Sequence, residues 1–527
     1  MNARQYLVPL TVLVLISLLM GACSPAAPQA ATEAPVLEYE APAAEAAAPV
    51  YEEAPANYPS PSPTMSAPNG EPYDTTFFEN YGVNPTIDTE DDNLSTFALD
   101  VDTGSYTVAR RFLSDGNLPD KDSVRVEEFV NYFRQGYRLP DEEERFNIAI
   151  DGGEAPFTES ERYQIMRVGI QGYAVSDENR KDASLTFVID VSGSMAREDR
   201  LGLVKDALEL LVYELDEDDT VGIVVYGSRA HVVLEPTSAD RKSKIMRAIN
   251  GLSSEGSTNA EAGIRLGYRQ ALEAFIPGGI NRVILCSDGV ANVGETSAGG
   301  IWDEVKYHAS EGVTLTTVGF GMGNYNDVLM EQLADQGDGF YAYVDEIDEA
   351  ERVFVTNLTS TLQVIAMDAR VQVDFNPEVV SRYRLIGFEN RDMADEDFRN
   401  DEVDAGEIGA GHSVTALYEV KLFPEADGEI ASVHLRWIDP ETRAPSEISR
   451  GFYTYDLHRD FEEADPYFQR SVLVAEFAEI LRESFYAEKS SMMDVLYEVK
   501  RVAGLLEDDP DMGEFASLVK KAFILME

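Results

Sequence analysis

Three stretches of the chain bring together residues that could hold a metal ion. "LTFVIDVSGSM" (Leu185–Met195) runs an apolar, β-prone segment into Asp190, Ser192 and Ser194. "SSEGSTNAEAGI" sets Ser257, Thr258 and Asn259 at the start of a helical pattern, and "RVILCSDG" ends a second apolar segment at Asp288. Two carboxylates and several hydroxyls are hard oxygen donors, and neither His nor Cys is among them. Such a set suits Mg²⁺, Mn²⁺ or Ca²⁺ and disfavours Zn²⁺. Gly193, between the two serines, lets the loop turn tightly.

The elements that must position these residues follow from the pattern around them. From Ala183 the chain alternates strand and helix: "LTFVID", "TVGIVVYG", "AHVVLE", "RVILCSD", "VTLTTVGFG" and "FYAYVD" are strands, most of them apolar throughout, as strands covered on both faces should be. Between them lie amphipathic helices, one carrying Leu201, Val204, Leu208, Leu211 and Leu215 at spacings of three and four. This predicts an α/β fold with a doubly wound, mainly parallel sheet. "AHVVLE" follows its neighbour after too short a turn for a parallel crossover, so it is expected as an antiparallel edge strand. In such a sheet, ligands sit beyond the carboxyl ends of the strands near the switch in strand order, where Asp190 and Asp288 would meet.

The flanks read differently. "SYTVARRFLSDG" and "DSVRVEEFVNYF" are helices, the second with Val126, Phe129, Val130 and Phe133 on one face. "RFNIAIDGG" and "YQIMRVGIQGYAV" alternate apolar and polar residues, as do segments from "LQVIAMDARVQVDF" to "SEISRGFYTY". Neither set makes a convincing sheet alone, so the two should pair into one β-sandwich with the α/β domain inserted between them. The expected divisions are 1–22 signal peptide, 23–72 stalk, 73–182 N-terminal helical and β region, 183–350 α/β domain, 351–458 completion of the sandwich and 459–527 C-terminal helices.

The order "DVSGS", Thr258, "SDG", each in its strand or loop context, resembles the metal-ion-dependent adhesion site of von Willebrand factor type A domains, over roughly Ala183 to Asp345. The resemblance implies that Ser192, Ser194 and Thr258 coordinate a divalent ion through hydroxyls, that Asp190 and Asp288 bind it directly or through water, and that one position stays open for a partner's carboxylate. With few charged groups touching it, the ion keeps the positive charge that attracts such an anion. The flanks, "LSTFALDVDTGSYTVARRFL" and "VRVEEFVNYF", together with the β-rich and helical tail, resemble the bacterial von Willebrand type A lipoproteins of the YfbK type.

Composition and the N-terminus narrow the function. Forty-two basic against 96 acidic residues leave a net charge of −54, which excludes nucleic acid as a partner and favours cations. The apolar run "YLVPLTVLVLISLLM" behind Arg4 reads as a secretory signal, and "LLMGAC" resembles a lipobox, which implies lipid on Cys23. The expected location is the cell envelope, anchored in the outer membrane or at the extracytoplasmic face of the plasma membrane. About 49 Pro-, Ala- and Glu-rich residues after Cys23 could hold a domain up to roughly 150 Å away, at ~3.1 Å per residue. Cys286 is expected as a small core residue, and the five histidines have no metal-ligand spacing. "LDVDTG" resembles the nucleophile loop of haloacid-dehalogenase-type phosphatases, but Gly104 stands where a threonine is needed, so Asp100 and Asp102 are read as a turn capping the next helix. The chain is therefore expected to be no enzyme. It should grip an Asp or Glu of a protein partner through Mg²⁺, with Mn²⁺ or Ca²⁺ as alternatives. A metal-dependent hydrolase, or a structural envelope protein with a vestigial site, are the competing readings.

Overall fold

Apolar strands buried along nearly their whole length have to be covered on both faces of a layered sheet, and five of the six strands of the central sheet are of this kind. The computed structural model describes residues 78–99, 102–158, 162–289, 298–321 and 326–527. The signal, Cys23, the stalk and Asp100 lie outside the described residues.

The N-terminal flank carries β1 (Ile87–Asp88), β2 (Leu94–Ala98), α1 (Gly104–Ser114), α2 (Val126–Asn131), β3 (Phe146–Glu154) and β4 (Tyr163–Gly172). The central part follows as β5 (Ala183–Asp190), α3 (Leu203–Glu214), β6 (Thr220–Tyr226), β7 (Ala230–Ser238), α4 (Lys242–Asn250), α5 (Ala260–Glu273), β8 (Ile280–Ser287), α6 (Ala298–Ser310), β9 (Thr314–Phe320), α7 (Asp327–Asp335), β10 (Tyr341–Val344), α8 (Ile347–Glu351) and α9 (Leu358–Leu362). The C-terminal flank comprises β11 (Val364–Phe375), β12 (Val380–Ile386), β13 (Gly406–Gly409), β14 (Ser413–Leu422), β15 (Glu429–Ile438), β16 (Pro445–Tyr453), β17 (Leu457–His458), α10 (Pro466–Leu481), α11 (Met492–Ala503) and α12 (Pro510–Met526).

The central sheet has the order β10-β9-β8-β5-β6-β7. Every pair is parallel except β6 with β7, the antiparallel edge strand that the short turn predicts. All residues of β5 and β8 are buried. Leu185, Phe187 and Ile189 point into one layer with α3 and α4, and Val188, Val283 and Leu285 into the other with α5 and α7. The direction of winding reverses between β5 and β8, which pair from Ala183 with Ile280 to Ile189 with Cys286. Cys286 is fully buried among the apolar side chains of the first layer, as expected.

The flanks meet as the alternation predicts. β4 of the N-terminal flank pairs with β14 of the C-terminal flank from Gln171–Ser413 to Tyr163–Lys421. One sheet runs β1-β12-β14-β4-β3-β17 and the other β13-β11-β15-β16, with β2 beside β11. Their inner faces share one core, in which Ile148, Met166 and Val168 meet Val371, Val433 and Leu435. The C-terminal helices pack with α2 around Phe129, Phe477 and Phe515.

Buried ion pairs tie the central part to the N-terminal flank. Arg110 of α1 reaches Asp345 at 2.5 Å and Glu349 at 2.9 Å. Arg125 reaches Glu128, then Asp327 at 2.8 Å and Glu331 at 3.3 Å in α7. Val108 and Phe112 of α1 join the second layer of the central sheet. This close approach requires Gly104, where a Cβ would lie 2.4 Å from the Tyr341 ring. The absent threonine of the "LDVDTG" stretch is thus explained by packing. Asp102 does not cap α1, contrary to expectation. Its carboxylate accepts from the Tyr341 backbone at 2.9 Å, and it lies 3.8 Å from Arg391. The amide of Ser105 at the start of α1 is taken by Glu128 instead.

Candidate metal centre at the switch point

At the carboxyl end of β5, Asp190 is fully buried. Its Oδ1 accepts the Ser192 backbone amide at 2.7 Å and its Oδ2 the Ser287 hydroxyl at 3.3 Å. These bonds curl the loop so that the Ser192 and Ser194 hydroxyls lie 3.0 Å apart. Ser192 opens the short 3₁₀ turn Gly193–Met195 without capping it through its side chain, so its hydroxyl is not spent on the helix end. The loop before α5 is drawn in by two backbone bonds, Glu255 N to Val191 O at 2.5 Å and Gly193 N to Gly256 O at 3.1 Å. Asn259, and not Thr258, caps α5 by accepting from Ala262 at 3.1 Å. Thr258, next to this cap, is partly exposed.

Asp288 follows β8 directly and is also fully buried. Burial first, and then the like charge of Asp288, push the Asp190 carboxyl from 3.8 to about 6, against the hydrogen bonds from Ser192 and Ser287. A pair of carboxylates confined beside two hydroxyls is chemically matched to a small divalent cation, which would relieve that repulsion. Asp190, Ser192 and Ser194 are brought into direct contact with one another, Asp288 stands beside them at the switch point, and the loop carrying Thr258 is hydrogen-bonded to theirs.

Sequence reasoning missed Arg200. It lies on the π-helical turn Glu198–Gly202 and is 3% exposed. Its Nη1 donates to Asp288 Oδ2 at 2.7 Å and to the Ser194 carbonyl at 3.0 Å. The one available signal is its position six residues after Ser194. A second acidic group also escaped notice. Asp338, Asp404 and Glu407 each offer a carboxylate oxygen within 4.8 Å of the others, on the turn before β10 and at β13. Lys306 pairs with Asp404 at 3.3 Å. These residues come from distant parts of the chain, and no local pattern announces them.

Comparison with known proteins agrees with the architecture. The family model for the von Willebrand factor type A domain matches residues 184–356, and that for von Willebrand factor matches 72–166. A third, described as the C-terminal part of uncharacterized protein YfbK, matches 360–426. Over 469 residues the chain is 36% identical to uncharacterized protein YfbK of Escherichia coli (strain K12), which covers 85% of this chain and 81% of that one. The chain belongs to the YfbK family of von Willebrand type A proteins. It is also 27% identical over 191 residues to inter-alpha-trypsin inhibitor heavy chain H3 of Homo sapiens, covering 34% of this chain and 20% of that one. Among solved structures, von Willebrand factor type A from Catenulispora acidiphila matches 74% of this chain and 91% of its own, at 14% identity and a TM-score of 0.42. The type A domain is a module typical of protein interaction and adhesion. Among the described residues no helix is long and apolar enough to cross a membrane.

Proposed function

We propose that this member of the YfbK family is a lipid-anchored cell-envelope protein that binds a protein partner through a divalent cation. Asp190, Ser192, Ser194, Thr258 and Asp288 hold the ion, and the partner supplies an Asp or Glu carboxylate. The observation that carries this reading is the hydroxyl pair of Ser192 and Ser194, 3.0 Å apart, beside two buried carboxylates at the switch point of the sheet. Mg²⁺ is the favoured ion, with Mn²⁺ and Ca²⁺ as alternatives. When bound, it supplies a positive point charge of short reach on an otherwise acidic molecule. The net charge of −54 repels an acidic partner at long range, so attachment depends steeply on the metal. Lipid on Cys23 and the Pro-rich stalk would carry the domain at a distance from the membrane. Location in the outer membrane or at the extracytoplasmic face of the plasma membrane is part of the same proposal.

The test is a crosslinking pull-down from native envelopes with and without EDTA, using the wild type and Asp190→Ala. Partners lost both in EDTA and in the variant support the proposal. Equal recovery in all samples points to a structural protein with a vestigial site. Metal-dependent turnover of a generic phosphate ester by the purified chain points to a hydrolase.

A further inference from the structure

The candidate centre already contains a cation of the protein's own. The Arg200 guanidinium is bonded to Asp288 at 2.7 Å and to the carbonyl of Ser194 at 3.0 Å, linking the two halves of the site. The side chain is held from behind as well. Gly321, which follows β9, has φ +77°, and a Cβ there would lie 2.5 Å from Arg200 Cγ, so the space for the arginine stem exists because that residue is glycine. Its neighbour Asp199 reaches Arg111 of α1 at 3.5 Å, which connects this turn to the N-terminal flank.

Asp190 and Asp288, when ionised, bring two negative charges, and Arg200 cancels one of them. A divalent ion drawn to the same carboxylates meets a positive charge already bonded to Asp288, and the two cations share one acceptor group at cost to each. With the ion bound, the three side chains and the metal sum to one positive charge instead of none, which leaves the centre short of an anion. Given the metal-binding reading above, on which this inference rests, we propose that Arg200 is a resident competitor for the divalent ion: it weakens binding of the metal alone and leaves the loaded centre with a net positive charge for an external carboxylate to neutralise. Metal and partner are thereby favoured as a pair.

The experiment is calorimetric titration of Mg²⁺ and Mn²⁺ into the detergent-solubilised full chain, comparing wild type, Arg200→Gln, Arg200→Lys and Asp288→Ala. Arg200→Gln should bind the metal at least tenfold more tightly than wild type, and Arg200→Lys should stay close to it. Melting in EDTA guards against a folding defect. Arg200→Gln removes the guanidinium bonded to the buried Asp288 and should melt lower than wild type, with a larger upward shift on adding Mg²⁺. Hydrogen exchange supplies a readout that a purely structural role would not move, since amides of residues 198–202 should exchange faster in the wild type once Mg²⁺ saturates the site. Wild type that binds metal, with Arg200→Gln equal to it or weaker, overturns the competitor role while leaving the metal site standing. Absence of binding in every protein, Arg200→Gln included, overturns the site itself and the inference with it.

Discussion

Replacing Asp190 by Asn should stabilise the metal-free protein at neutral pH and abolish its response to metal. Asparagine keeps the shape, and its oxygen can still accept the Ser192 amide that Asp190 accepts at 2.7 Å. What it removes is the buried charge. Burial and the nearby charge of Asp288 raise the Asp190 carboxyl from 3.8 to about 6. A raised carboxyl favours folding in its protonated form, so its contribution is fully present below pH 3.8 and is lost as pH rises through 6. Between those limits the wild type loses roughly 3 kcal/mol from this group, at about 1.36 kcal/mol per tenfold change. In EDTA at pH 7.5, Asp190→Asn should therefore melt several degrees higher than wild type, and near pH 4 the two should coincide. Adding Mg²⁺ should reverse the order, because the cation stabilises only a centre that keeps its carboxylate. Scanning calorimetry from pH 4 to 8, with EDTA or Mg²⁺, reads all of this. A variant that melts lower than wild type in EDTA at pH 7.5, or one that gains as much from Mg²⁺, would refute the reasoning.

Other consequences can be checked in the same way. Arg125→Met removes the buried guanidinium shared by Glu128, Asp327 and Glu331, of which Glu331 keeps its pair with Arg391 at 3.3 Å, and should cost about 3–5 kcal/mol of stability, read as a lowered melting temperature. Glu476 is raised from 4.5 to about 7, chiefly by burial, so its contribution is present below pH 4.5 and lost as pH rises through 7. Glu476→Gln should accordingly melt higher than wild type at pH 8, and the gap should close below pH 4.5. Gly104→Ala drives a methyl group into the Tyr341 ring and should destabilise by about 1–3 kcal/mol, measured by denaturant unfolding. Cys23→Ser should abolish incorporation of labelled fatty acid and move the protein from the membrane to the soluble fraction.

How much of this was legible beforehand depended on whether the signal was local. The uniformly apolar runs of β5 and β8 announce strands covered on both faces, and the polar residues at their ends announce a sheet edge, so Asp190 and Asp288 could be placed from a dozen residues each. The shortness of the turn before β7 was enough to make that strand antiparallel. Alternation in β4 and β14 told that each needs one face covered, and their pairing followed because neither flank could close a sandwich alone. The Arg200–Asp288 bond, by contrast, spans 88 positions and depends on where the turn after Ser194 folds back, which no periodicity records. The group of Asp338, Asp404 and Glu407 depends on how the sandwich sits against the central sheet. Asp102 was misread for the same reason: a short acidic residue before a helix looks like a cap, whereas tertiary contact assigns it to the backbone of Tyr341.

The most direct measurement is the stoichiometry of Mn²⁺ binding to the full chain by calorimetry, in wild type, Asp190→Ala, Thr258→Ala and Glu407→Gln. Both acidic regions are then tested against each other, since Glu407 belongs to the group beside β13 and the others to the switch point. One ion per chain, lost in Asp190→Ala, weakened in Thr258→Ala and unchanged in Glu407→Gln, is the predicted result. Binding that survives Asp190→Ala and disappears in Glu407→Gln would contradict it and move the metal to the other end of the sheet's loops.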